Sequence, residues 1–284
     1  MRPALAKQAR IALAPGEAQE GWRWVAEETA IAFVYDGVTH AVMMATPADL
    51  RDFALGFSLA DGVIEQAKDI AEIEIVDRGD LGCELRIRLD PHCAMRHDRR
   101  RRHMAGPVGC GLCGIESLTE VARAAPRIDA TLHLDADTLA GAMEDLAQAQ
   151  RMNRRARALH AAGFWSLRDG LVAVREDVGR HNALDKLHGA LVRDGIPGAD
   201  GVVLLTSRVS VDMVQKVARL GAPILVAISA PTALAVRTAE ACGMTLVALA
   251  RGHECEVFTH GHRMLRGTVM PSSRLTVDGP QSFV

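Results

Sequence analysis

Apolar and polar residues alternate from Trp22 to Met44, a stretch rich in Val, Ile and Phe with Asp36-Gly37 in its middle. Period-two alternation interrupted by Asp-Gly predicts two strands joined by a tight turn. Thr46-Pro47 then reads as a helix start, Thr46 as cap and Pro47 in the first position; Leu50, Phe53, Ala54 and Phe57 keep helical spacing and Gly62 ends the helix. Alternation resumes over residues 70–76 and 83–89, around Arg78-Gly79-Asp80, and Pro91 closes the unit. Residues 21–95 are therefore expected to form a small N-terminal α+β domain. Ahead of it, residues 1–20 are Ala-rich, carry Pro15-Gly16 and show no sustained period, which predicts a flexible tail.

The second half has a different rhythm. A helix is expected from about Asp137 through Leu139, Met143 and Leu146 towards Leu159. Strands and helices then alternate: strand 171–174, helix 183–192, strand 202–205, helix 211–220, strand 224–228, helix 233–242 and strand 245–250. The runs Val202-Val203-Leu204-Leu205 and Ile224-Leu225-Val226-Ala227-Ile228 are continuously apolar, as strands covered on both faces are, so parallel pairing is expected. The fold class is α/β (α+β overall), with residues 116–284 as a layered α/β domain.

Composition adds bounds to this picture. The chain has 284 residues, 49% of them hydrophobic, and a net charge of −2, so nothing in the overall charge suggests nucleic-acid binding. No stretch reaches the roughly 18 apolar residues of a membrane span, and the N-terminus lacks an apolar signal core; a cytoplasmic protein is expected. Positive charge is local: Arg99-Arg100-Arg101-Arg102-His103 is a like-charge run of the kind that stays solvated, so residues 96–115 are expected to be a mobile linker loop.

Just beyond that run lies Gly109-Cys110-Gly111-Leu112-Cys113-Gly114. The glycines let both thiols be presented outward, and nearby cations favour thiolate over thiol. Of the six cysteines only Cys110 and Cys113 form a close pair. Cys-x-x-Cys serves structural zinc, redox exchange and sulfur chemistry. Zinc would require further ligands, which Cys93, His97 and His103 could assemble, and a redox pair usually opens a helix after a strand. Cys83 and Cys242 read as inert core thiols.

Polar clusters follow the expected strands: Arg175 to Asn182, Thr206-Ser207-Arg208-Val209-Ser210, Ser229-Ala230-Pro231-Thr232 and Arg251-Gly252-His253-Glu254. In open α/β sheets ligands bind outside the carboxyl ends of strands, where helix N-termini favour anions. A phosphorylated, nucleotide-like ligand fits, although Ser210 and Thr232 could simply cap helices and Arg180 and His181 could be structural partners. No glycine-rich Rossmann or Walker fingerprint is present.

These stretches, above all the eleven residues Glu176 to Lys186 together with the Cys110–Cys113 loop, resemble the FdhD family of formate dehydrogenase accessory sulfurtransferases, over residues 25–266. The resemblance implies a cytidine deaminase-like three-layer C-terminal domain, a homodimer, and a persulfide carrier. Sulfur would come from a cysteine desulfurase to Cys110, with Cys113 as relay or resolving partner, and pass to bis-molybdopterin guanine dinucleotide (Mo-bis-MGD) for formate dehydrogenase. Cofactor binding is then expected at Leu249, Ala250, Arg251, Gly252, His253 and Glu254, with Arg180, His181 and Arg208. Asp212 and Asp61 stand where that family usually has Glu, and Arg157-Ala158 replaces Thr-Gly ahead of His160. Deamination is not expected, because His160-Ala161-Ala162 lacks the glutamate of His-x-Glu. A cofactor-carrying chaperone without sulfur chemistry is the competing reading.

Overall fold

The computed structural model describes residues 1–104 and 125–265, those from 98 to 104 by backbone alone. Residues 1–20 are not a tail. Leu5–Ala14 (β1) and Glu17–Ala26 (β2) pair in an antiparallel ribbon whose turn is made by Pro15-Gly16, Gly16 at φ 79°. The alternation exists but is carried largely by alanine, a weak strand former, and so escapes notice in the sequence.

Thr29–Tyr35 (β3) and Val38–Ala45 (β4) turn over at Asp36-Gly37, both with positive φ, as a two-residue hairpin loop requires. With Ile70–Asp77 (β5) and Cys83–Leu89 (β6) they make a four-stranded sheet ordered β4-β3-β6-β5, in which β3 and β6 run parallel. Leu50–Ala60 (α1) covers one face, with Phe33 stacked on Phe57 at 4.0 Å between ring centres. Thr46 does not cap this helix; the chain enters through Asp49 at φ 53°, and Thr46 is fully buried elsewhere. Pro91 starts an element rather than ending one: Pro91–Met104 (α2) is helical, the His92 N–H held by the Asp90 carboxylate at 3.0 Å. The arginine run thus lies on a helix, which corrects the first part of the expected 96–115 loop. Cys110 and Cys113 fall outside the described residues.

Leu134–Asp135 (β7) leads into Ala136–Ala149 (α3), where Asp135 caps Thr138 at 2.7 Å. The helix does not run on to Leu159. The Glu176 carboxylate takes the N–H groups of Met152 and Asn153 at 2.9 and 2.7 Å, starting a separate turn, Asn153–Ala156 (α4). Then come His160–Ser166 (β8), Gly170–Asp177 (β9), Arg180–Arg193 (α5), Val202–Leu205 (β10), Val211–Leu220 (α6), Ile224–Ala227 (β11), Ala233–Cys242 (α7), Thr245–Arg251 (β12), Glu254–Val257 (β13) and Met264–Leu265 (β14). The large sheet is ordered β13-β12-β11-β10-β8-β9. β10, β11 and β12 are parallel as expected, but β8 and β13 are antiparallel additions. Because β8 is antiparallel to both β9 and β10, strand β9 shares the direction of β10, and four strands end at one edge.

Both faces of this sheet are covered. Val203, Leu205, Leu225 and Leu246 pack with Leu184, Leu187, Met213, Val217 and Ala239 of α5–α7; Val202, Leu204, Ile224, Val226 and Val247 pack with Leu139, Met143 and Leu146 of α3. The two sheets are locked together where α1 crosses α5. A Cβ on Gly56 would stand 1.7 Å from the Asp185 carbonyl oxygen, and one on Gly189 would stand 1.9 Å from that of Asp52, so these backbones touch. Asp52, itself buried, binds Arg175 at 2.6 Å and also Arg193.

Candidate functional site

The Glu176 to Lys186 stretch has two jobs, and the larger is structural. Asp177 and Lys186 are both fully buried and 2.6 Å apart. Asp177 also accepts from the N–H groups of Thr46 (3.0 Å) and Gly179 (2.8 Å) and from Asn182 Nδ2 (3.0 Å), while Lys186 donates to the Thr46 carbonyl at 2.8 Å. Asn182 Nδ2 reaches the Met44 carbonyl at 2.9 Å, and the Val178 N–H reaches Thr46 Oγ1 at 3.1 Å. Thr46, which looks like a helix cap in the sequence, is the anchor on which the first sheet meets the second. Burial pulls Lys186 below the ordinary lysine range while Asp177 holds the charge.

What remains of that stretch, Arg180 and His181, forms the first turn of α5 at the carboxyl edge of the sheet. The starts of α6 and α7 lie at the same edge, so three helix N-termini, each with partial positive charge, converge there. Thr232 caps α7 by accepting from the Ala235 N–H at 3.2 Å, whereas Ser210, ahead of α6, makes no such bond. Arg180 Nε, His181 Nε2 and Ser210 Oγ are buried without a hydrogen-bond partner among the described residues. Orphaned buried polar atoms are costly, and three at one edge can serve a ligand rich in acceptors. Burial and the Arg180 guanidinium push His181 down to about 4, and they lower His160 as well, so neither ring carries a charge near neutrality. Asp212 stands 4.0 Å from His181 Nε2.

A pocket of about 430 Å³ opens beside these groups, lined by Asn153, Arg157, Ala158, Leu159, His160 and Thr206. Arg157, Ala158, His160 and Thr206 stand out in the sequence, whereas Asn153 and Leu159 give no signal there, because both lie within what reads as one long helix. Arg208 is exposed after β10. The residues 249–254 sit at the same edge but farther along it: β9 and β12 are four strand spacings apart, roughly 19 Å. Leu249 has φ 52°, a left-handed conformation at the irregular register between β12 and β13. Ala250 is buried, Arg251 donates to the Ile228 carbonyl at 3.2 Å, Gly252 and His253 are exposed in the following turn, and Glu254 is exposed at the start of β13. Cys83, Cys93 and Cys242 are buried, and Cys93 points at the Val63 carbonyl at 3.4 Å.

The sequence profile of the FdhD/NarQ family matches residues 26–265. The chain is 53% identical over 258 residues, 90% of its length and 95% of the relative's, to the sulfur carrier protein FdhD of Agrobacterium fabrum. It is 49% identical over 248 residues to the protein of that name from Brucella abortus, covering 87% of this chain and 92% of the relative. Among solved structures it is similar to a candidate formate dehydrogenase accessory protein from Desulfotalea psychrophila, with a TM-score of 0.75 and 27% identity over 93% of this chain and 100% of that one.

Proposed function

Because the chain belongs to the FdhD/NarQ family, we propose that it carries sulfur in formate dehydrogenase maturation, taking it from a cysteine desulfurase and delivering it to Mo-bis-MGD held at the sheet edge. In the uptake step the Cys110 thiolate attacks the outer sulfur of the donor's persulfide. A new sulfur–sulfur bond forms on Cys110, the donor's bond breaks, and the donor cysteine leaves as thiolate. For delivery, the Cys113 thiolate attacks Cys110 Sγ, closing a disulfide and releasing hydrosulfide to the bound metal; a cellular dithiol then reduces the pair.

The observation that carries this reading is the coincidence of three helix N-termini with three orphaned polar atoms, Arg180 Nε, His181 Nε2 and Ser210 Oγ. Phosphates satisfy both kinds of group. The edge also extends from Arg180 past Arg208 to residues 249–254, a span suited to a dinucleotide rather than a lone phosphate. Strand order β9-β8-β10-β11-β12 with β8 alone reversed supports the deaminase-like reading of the second domain, in residues 116–284, beside a first domain in 21–95. A cytoplasmic location follows from such partners.

Intact-protein mass spectrometry after incubation with a desulfurase and cysteine tests the assignment. One added sulfur atom on the wild type, absent from Cys110→Ala, is expected. Unmodified wild type that still retains the cofactor would replace the sulfur carrier with a cofactor chaperone.

A further inference from the structure

Arg151, Arg154, Arg155 and Arg157 fall within seven residues on and around the short helix α4, and all four are exposed. Exposed arginines elsewhere are neutralised: Arg78 by Glu84, Arg88 by Glu72, Arg96 by Asp69 and Arg193 by Asp194. The α4 arginines have no carboxylate in ion-pair contact among the described residues. Glu176, whose carboxylate starts this turn, is buried and holds the Met152 and Asn153 N–H groups instead. Like charges three and four residues apart repel on a helical turn, so the group disfavours the turn that carries it. An oppositely charged partner offsets that repulsion.

The patch has a definite place. Arg157 lines the pocket of about 430 Å³ with His160 and Thr206, and no carboxylate stands in that lining. Arg155 is turned onto the Trp24 ring at the base of the β1–β2 ribbon, 4.0 Å from its centre. Lys7 shares the rung of Trp24 and carries the positive charge on to the ribbon. The cations therefore run from the rim of the pocket outwards, farther than a ligand seated in the pocket can follow. Such a ligand meets Arg157, whereas a macromolecule covering the mouth meets the whole group. Arginine beside tryptophan is also the composition enriched in protein contact surfaces.

On the reading given above, the sheet edge holds a cofactor that has to pass to formate dehydrogenase. A receiving protein must cover the mouth of that edge, and in doing so it lies against α4. We propose that Arg151, Arg154 and Arg155, with the ribbon base, form the surface on which apo-formate dehydrogenase docks through an acidic patch beside its own cofactor entrance. This rests on the assignment of the edge as the cofactor site, and adds the face of the chain and the sign of charge that the acceptor must present.

Biolayer interferometry of apo-formate dehydrogenase on the immobilised full chain, across sodium chloride concentration, tests this in wild type, Arg151→Ser/Arg154→Ser and Arg151→Lys/Arg154→Lys. Wild-type binding should weaken steeply with salt. The serine variant should bind about tenfold more weakly at low salt, chiefly through slower association, and respond less to salt; the lysine variant should stay within about twofold of wild type. Melting temperature and the sulfur added to Cys110 by the desulfurase should be the same in all three. Equal affinity in wild type and serine variant overturns the proposal, as does a wild type that does not bind the dehydrogenase. A serine variant that keeps the dehydrogenase but loses the desulfurase also overturns it, making the sulfur donor the occupant. Binding that a nuclease abolishes does the same, in favour of nucleic acid. The two readings fail separately: a wild type that takes up no sulfur removes the sulfur carrier, whereas equal affinities beside normal sulfur uptake remove this surface alone.

Discussion

Replacing Lys186 by Met removes the cation from a pair with no solvent contact and leaves Asp177 buried with a full negative charge. Breaking a buried pair from one side costs about 3–5 kcal/mol, because the surviving charge loses its counter-ion without gaining water. Asp177 keeps three donors here, the Thr46 and Gly179 N–H groups and Asn182 Nδ2, so the lower half of that range applies, about 3 kcal/mol. The Thr46 carbonyl also loses its lysine donor, so the damage falls on the seam between the sheets rather than within either core. The assay is urea unfolding followed by circular dichroism, in wild type, Lys186→Met, and the double variant Asp177→Asn/Lys186→Met. The double variant, with neither charge left, should be more stable than the single one by at least about 1 kcal/mol. A single variant as stable as the wild type, or a double variant less stable than the single, would refute the assignment of Asp177 and Lys186 as a mutually dependent buried pair.

Gly189→Ala should unfold the seam outright: its Cβ would sit 1.9 Å from the Asp52 carbonyl oxygen, backbone against backbone, so α1 and α5 must separate, and low solubility with a melting temperature lowered by more than 5 °C is expected, about 2 kcal/mol or more for a chain this size. His188 is buried with no partner for Nδ1 among the described residues, and burial, with Lys216 and Arg219 nearby, pushes it down to about 4 from an ordinary 6.5. The unfolded chain therefore binds the proton more readily than the folded one; stability is fully present above about pH 6.5 and is lost as pH falls towards 4. Measuring unfolding free energy between pH 7.5 and 4.5 in wild type and His188→Gln should give a shallower slope in the variant, and equal slopes would contradict the shift.

How far the sequence could be read depended on how local the cause of each element was. β10, α6 and α7 appear at their expected limits, because a continuous apolar run or an amphipathic stretch needs only its neighbours to declare itself. Elements set by distant partners were not legible. Thr46-Pro47 has the local form of a helix start, yet Thr46 is claimed by Asp177 and Lys186 from 131 and 140 residues away. The helix ending at Ala149 is cut by the Glu176 carboxylate, and β8, the strand that reverses the sheet, has no alternating pattern to declare it, His160-Ala161-Ala162-Gly163 being small and nearly uniform. The site was half legible. Arg180 and His181 lie where the strand-end logic placed them, with Arg208 and residues 249–254 along the same edge. Ser210 looked like an ordinary cap, and only geometry shows its hydroxyl unpartnered. Gly56 and Gly189 gave no signal, since a glycine inside a helix announces a close approach only when the opposing backbone is known.

That close approach also sets a schedule for the nascent chain. The glycine-bearing face of α1 emerges from the ribosome about 130 residues before its counterpart on α5, roughly 7 to 26 s earlier at ordinary synthesis rates. Through that interval the first sheet and α1 form a finished core with an open flank, on which Asp52 waits for Arg175 and Arg193. The flank closes only after Gly189 has left the exit tunnel. A truncated or stalled chain therefore carries an unsealed surface, which makes the completed α5 the natural checkpoint between a chaperone's client and a working protein.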